Sequence, residues 1–300
     1  MKLHMLLLLL GAALCQAGRL TPAENADRLR TCGAPLPVDP FEELDLDAHL
    51  NQFKVVNGRN SGPRPYAAQL IYSLGGYSGS ELCGGTLISS RHVLTAAHCV
   101  FENMERFCEG SLYSVRRNAS NWKIVLKSRC GEMRSNEDCE AQDSKIYAKP
   151  TKIFVNRRFY TSKCSEGDIA IMELDRDYVL EEEVTPACVA GQFTRFHQYN
   201  SNKLTAFGWG FDPNLDLRTT GGFHGLLQEV NLKVQHCGNA HITDHICTEE
   251  VQYNVCRGQI FTDVRVYNAF ICKATGICPP PHLMRMTKQR RTVLEEYVLE

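Results

Sequence analysis

The sequence predicts an all-β barrel or sandwich, and three observations lead there. From Val55 onward the apolar residues fall in short runs separated by turn residues, as in Ala67-Ala68-Gln69-Leu70-Ile71-Tyr72, Lys123-Ile124-Val125-Leu126, Ile169-Ala170-Ile171-Met172 and Leu204-Thr205-Ala206-Phe207. Runs of that length suit strands rather than helices. Val230, Leu232 and Val234 alternate with Asn231 and Lys233, the period-two pattern of a strand with one face buried. No helical period is sustained before Val293, Leu294, Tyr297 and Val298, which share one helical face and suggest a short C-terminal helix.

In chain order, Lys2 and His4 precede the apolar run Met5 to Leu14, which is closed by Cys15-Gln16-Ala17. The run is too short to span a bilayer, and small residues at 15 and 17 suit cleavage before Gly18, so residues 1–17 read as a secretory signal peptide. Residues 18–54 show no sustained strand or helix period. They carry the turn-prone Cys32-Gly33-Ala34-Pro35 and the acidic patch Glu42, Glu43, Asp45 and Asp47, and they read as a pro-segment. The strands then fill residues 55–258, and the closing Glu295-Glu296-Tyr297-Val298-Leu299-Glu300 is too polar for a lipid-anchor signal.

Composition narrows the function. The chain has 300 residues, 43% of them hydrophobic and 22% charged, enough to bury a sizeable core and against wholesale disorder. With 33 Lys plus Arg against 34 Asp plus Glu, the net charge is -1, which gives no electrostatic footprint for nucleic acid. The 14 cysteines point to an oxidising compartment. Thirteen remain beyond Cys15, an odd number, so at least one thiol stays free, pairs between chains or marks an ending that did not evolve with the rest. Asn118-Ala119-Ser120 is the single glycosylation sequon and places Asn118 on a surface loop. A secreted, extracellular, monomeric protein without a membrane anchor is expected.

The segment from Cys83 to Cys99, Cys-Gly-Gly-Thr-Leu-Ile-Ser-Ser-Arg-His-Val-Leu-Thr-Ala-Ala-His-Cys, resembles the chymotrypsin and trypsin family of serine proteases. Pro65 to Leu70, Asp168 to Leu174, Thr185-Pro186-Ala187-Cys188 and Gly208-Trp209-Gly210 match further blocks of that family in its own order. The resemblance covers roughly residues 55–258 and implies two antiparallel β-barrels with the site between them, acting on protein or peptide substrates without a cofactor. In such a site an imidazole accepts the proton of a serine hydroxyl, and a buried carboxylate holds that imidazole in the right tautomer. His98 and Asp168 match these two roles.

The third role is vacant. Asn254-Val255-Cys256-Arg257-Gly258 resembles the approach to the nucleophile, yet Gln259 and Ile260 follow where the family has Asp-Ser, and no serine occurs after Ser201. Thr262 has a hydroxyl but lies two residues further on. Lys54-Val55 resembles the activation cleavage site, whose new amino terminus would pair with the Asp that Gln259 replaces. Burying an unpaired ammonium is costly. Gly258 resembles an oxyanion donor, and Asn254 the floor of the specificity pocket, where trypsins carry Asp. Residues 259–300 look divergent.

Two readings of the cysteines compete at one place. Cys237, His241, His245 and Cys247 can be drawn as a zinc site, whereas the resemblance implies a Cys237 to Cys247 disulfide, and the latter is preferred, with no metal expected. The resemblance also implies Cys83 to Cys99 and a pro-segment tether from Cys32 to Cys188. Cys108, Cys130, Cys139 and Cys164 are expected to staple the enlarged stretch between His98 and Asp168. Two function classes follow: a noncatalytic protease homologue that binds partners through the old cleft, and an active secreted endopeptidase whose true ending differs from residue 259 onward.

Overall fold

The computed structural model describes residues 18–33, 59–73, 80–102, 108, 115–132, 145–178, 184–190, 203–210, 225–237, 243–249, 260–280 and 294–298. The chain is mostly antiparallel β-structure. Its strands are β1 (Arg59–Asn60), β2 (Ala67–Ser73), β3 (Ser80–Ser89), β4 (His92–Thr95), β5 (Phe101–Glu102), β6 (Val115–Arg116), β7 (Trp122–Leu126), β8 (Ile146–Ala148), β9 (Pro150–Asn156), β10 (Ala170–Leu174), β11 (Lys203–Gly208), β12 (Gln228–Gln235), β13 (His245–Thr248), β14 (Ile260–Thr262) and β15 (Leu294–Val298). The helices are α1 (Pro22–Thr31), α2 (Arg157–Thr161) and α3 (Asn268–Thr275).

Eight strands form the first sheet in the order β15-β9-β10-β4-β3-β2-β7-β8. It curls so that Leu70, Leu87, Val93, Ile124 and Met172 meet in one core, each less than 1% exposed. The second sheet runs β1-β12-β13-β14 with β11 on the other side of β12. This is the two-barrel class that the short runs and the family blocks predict, and the expected runs each lie on β2, β7, β10, β11 and β12.

The two sheets are stitched by residues 128–132. The buried side-chain amide of Gln69 donates to the Cys130 carbonyl at 2.7 Å and accepts from the Glu132 amide at 3.0 Å. From the same segment, Arg129 offers its carbonyl to the Leu227 amide at 2.6 Å and to the Trp209 indole at 2.9 Å. Buried backbone groups seek partners, and here the partners lie on the opposite sheet.

Two expectations change at the ends of the chain. Residues 22–31 are a helix, because Thr21 and Glu24 form a reciprocal capping box and Pro22 occupies the first turn. A C-terminal helix is present, but as α3 at Asn268–Thr275; residues 294–298, whose apolar spacing suggested it, are instead strand β15, antiparallel to β9 from Leu294↔Asn156 to Val298↔Lys152. So short a helix cannot repay its own nucleation, whereas the edge of β9 offers unpaired backbone groups. Within the divergent segment 259–300, α3 packs Phe270, Ile271 and Ala274 against Phe154, Ile169 and Ile171 of the first sheet's outer face.

Phe270 is fully buried in that contact. Replacing it with Ala should therefore cost about 3 to 5 kcal/mol in denaturant unfolding, against a change within about 0.5 kcal/mol for the exposed Lys273→Ala.

Candidate active site

His98 sits in the 3-10 turn Ala97–Val100 directly after β4. The Cys83–Cys99 disulfide, with its Cα atoms 6.2 Å apart, ties that turn to β3. Asp168 arrives from the other side, immediately before β10. The preceding Gly167 has φ +79°, and a Cβ there would stand 2.7 Å from the Phe159 amide nitrogen, so the turn that aims Asp168 needs glycine.

The geometry joins the two. The Nδ1 of His98 lies 2.7 Å from Oδ2 of Asp168, and the backbone amide of His98 donates to Oδ1 at 2.9 Å. Both carboxylate oxygens are thus engaged, the ring is fixed in orientation, and Nε2 is left as the proton-accepting atom. The hydrogen bond to Asp168 raises the His98 pKa above its ordinary 6.5, with burial opposing it. Burial pushes the Asp168 carboxyl up, but the His98 ring and the amides of His98 and Ala97 outweigh it and hold the group below its ordinary value.

Two residues that sequence reasoning did not assign hold Asp168 from behind. Thr262 on β14 donates its hydroxyl to the Asp168 backbone carbonyl at 3.1 Å. Asp244, completely buried, accepts the Gly167 amide on Oδ2 at 2.8 Å and, on the same oxygen, a short hydrogen bond from the Tyr267 hydroxyl. Its backbone carbonyl accepts the Asp263 amide at 2.7 Å. Burial and the Asp244 carboxylate together push the Tyr267 phenol well up. Asp244 carried no signal in the sequence, because a lone aspartate in a turn-like stretch reads as solvent-exposed. Only its place between the Asp168 turn and the C-terminal segment explains it.

Ile260, at the position the resemblance gives to the nucleophile, is the first residue of β14, pairs with Cys247 across the ladder and is 62% exposed. It therefore occupies an extended strand and no tight turn. Gly258, Gln259, Asn254, Lys54, Val55, Cys139, Cys256 and the signal peptide lie outside the described residues. Asn118 is exposed, and the Ser120 hydroxyl donates to its side-chain carbonyl at 2.9 Å.

Disulfides join Cys32 to Cys188, Cys108 to Cys164 and Cys237 to Cys247. The last uses both thiols of the zinc drawing, and His241 lies outside the described residues. Cys272 pairs with Cys278, and Cys130 is also disulfide-bonded. Cys83, His98 and Cys99 place three ligand atoms within 4.8 Å of one another. Two of these are the sulfurs of one disulfide, which fits no thiolate metal site.

The dyad makes a titration that can be read directly. The His98 ring should titrate above 6.5 in an NMR pH series, and Asp168→Asn should bring it down. The linkage sign is opposite for the two groups. The raised His98 pKa contributes stability that is fully present below 6.5 and lost as pH rises through the folded value. The lowered Asp168 pKa contributes stability that is present above 3.8 and lost as pH falls through its folded value.

Comparison with known proteins places this geometry. The trypsin family model matches residues 55–259. Phenoloxidase-activating factor 3 of Holotrichia diomphalia is 32% identical over 214 residues, covering 67% of this chain and 53% of that protein. Trypsin-like protease try-5 of Caenorhabditis elegans is 27% identical over 219 residues, covering 65% of each. Serine protease filzig of Drosophila melanogaster is 26% identical over 234 residues, 75% of this chain and 12% of that one. The chain thus spans two thirds or less of the length of these curated relatives. A solved structure described as that of GrC has a TM-score of 0.50 at 21% identity, covering 72% of this chain and 97% of that one, a likeness of fold. With the family model matching residues 55–259, more than half of the chain, and the His98–Asp168 pair joined at neighbouring strands of the first sheet, the chain belongs to the trypsin family of serine proteases.

Proposed function

We propose that the protein is a secreted, noncatalytic member of this family that binds a protein or peptide partner through the former substrate cleft. One observation carries the reading: the dyad has no serine to serve. Ile260 follows Gln259 where the family has its nucleophile, and the sequence has no serine after Ser201. The nearby hydroxyl of Thr262 is spent on the Asp168 carbonyl. Loss of the nucleophile alone costs on the order of a millionfold in kcat in a related mechanism, and the members of a triad act as a unit. His98 and Asp168 are therefore left as geometry without turnover.

Secretion is supported by the leader-like residues 1–17 and by the disulfides, which persist in oxidising compartments. No described helix is long and apolar enough to cross a membrane. The rival reading, an active endopeptidase whose ending was replaced from residue 259 onward, is disfavoured by packing. Tyr267, Phe270, Ile271, Ala274 and Ile277 all fill the core beside β9 and β10, and a foreign ending has no reason to supply them.

Protein cleaved after Lys54 should fail to label with a fluorophosphonate probe and should show no peptidase activity above a His98→Ala control. Stoichiometric labelling that the control loses would overturn the reading. Secreted material should begin at Gly18 and lose one glycan's mass at Asn118 on treatment with a peptide N-glycosidase. Intact-mass measurement checks both.

A further inference from the structure

A second histidine, outside the dyad, lies inside the first sheet. His92, the first residue of β4, is fully buried, with Ser89 of β3 and Glu173 of β10 as its ladder neighbours. The Ser89 hydroxyl lies 2.8 Å from Nδ1 of His92 and accepts the Arg91 amide at 3.2 Å. Ser89 is buried as well and donates to nothing else among the described residues, so its hydroxyl proton goes to Nδ1. Nδ1 is then the accepting atom, the ring is neutral and its proton sits on Nε2. That nitrogen is buried and has no hydrogen-bond partner among the described residues.

The charges around the ring offer no counter-ion for an imidazolium. Arg91, in the turn before β4, opposes a second positive charge, and Glu24 of α1 favours one. The Arg91 guanidinium already engages Glu24 at 2.8 Å and Asp177 at 2.7 Å. Glu173 faces Lys152 of β9 at 3.9 Å. Burial first, and then Arg91, push the His92 pKa down to about 3. Protonation in place would bury an uncompensated charge and take from Ser89 its only acceptor, and both penalties end when the ring meets water.

Strand β4 also carries half of the dyad. It ends at Thr95, whose hydroxyl donates to the Gly84 carbonyl at 2.8 Å, and the turn bearing His98 follows directly. We propose that His92 is an acid-sensitive latch on this strand: uptake of one proton by its imidazole opens the ladder between β3, β4 and β10 and draws the His98 turn away from Asp168. The sign follows from linkage. A base with a depressed folded pKa contributes stability that is full above its unfolded value of 6.5 and is lost as pH falls from there toward about 3. His98 acts in the opposite sense, because its pKa is raised.

Amide hydrogen exchange on the full disulfide-bonded chain tests the latch against His92→Gln, whose side chain takes up no proton. After correction for intrinsic exchange, opening at Val93 and Leu94 should grow about tenfold per pH unit below about 6.5 in the wild type relative to the variant, reaching about a hundredfold near pH 4.5. Leu70 on β2 and Ile124 on β7 should show no such excess. Equal pH dependence in the two proteins overturns the proposal. An equal excess at Leu70 and Ile124 overturns it too, because His92 would then govern the whole domain rather than β4.

If His92→Gln does not fold, the wild-type ring decides alone. Its nitrogen chemical shifts in the native state should report a neutral ring protonated on Nε2 down to about pH 4.5. Native-state titration of that ring near 6.5, or a proton found on Nδ1, sinks the idea.

Discussion

The burial of α3 against the outside of the first sheet is the contact on which the two ends of the chain depend. Strand β10 makes it possible by having no solvent face. Ala170, Met172 and Leu174 point into the first core, while Ile171 and the preceding Ile169 meet Phe270, Ile271 and Ala274. A strand covered on both sides reads as a continuous apolar run, which is why Ile-Ala-Ile-Met shows no alternation. Once α3 is seated, its C-terminus receives Leu20 and Asn25, and the segment leading into it delivers Tyr267 to Asp244 and Thr262 to Asp168.

Charge burial follows the same logic of paired groups. Glu229 on β12 is almost fully buried and is met by Arg59 at 2.7 Å, by Arg64 and by the Ser61 hydroxyl at 3.0 Å. Burial pushes its carboxyl up, and the Arg64, Arg59 and Ser61 hydrogen bonds outweigh that and hold it below the ordinary range. Breaking such a pair from one side costs far more than an exposed salt bridge contributes. Arg59 and Arg64 come from the stretch that follows Val55, so this cluster anchors the first residues of the family domain to the second sheet. Asp244 serves the first sheet similarly, with an amide and a phenol in place of guanidinium groups.

The structure also separates fold from chemistry. The His98–Asp168 pair needs β4, the Cys83–Cys99 disulfide, the Gly167 turn and the supports from Thr262 and Asp244, and all of these are in place. A nucleophile needs one further thing, a serine on a tight turn facing Nε2. At Ile260 the chain is instead an extended strand paired with β13.

Most of the strands were legible in the sequence because a strand in a compact domain needs only a short apolar run with turns around it, and that signal is local. His98 and Asp168 were legible for a similar reason: each lies in a distinctive string whose order along the chain is diagnostic. The lack of a serine after Ser201 is likewise a fact of sequence alone. Helix α1 was not read from the sequence: Thr21, Pro22 and Glu24 form its capped first turn, but its apolar residues are too few to show a helical period. What only the tertiary structure decided are the roles set by distant partners. Residues 294–298 become a strand because the edge of β9 is open to them. Asp244 is buried because Gly167 and Tyr267 meet it, and Arg91 is buried because Gly18, Glu24 and Asp177 surround it. Such partners lie tens to hundreds of residues away along the chain, and no local pattern encodes a hydrogen bond whose acceptor arrives only when the chain has folded.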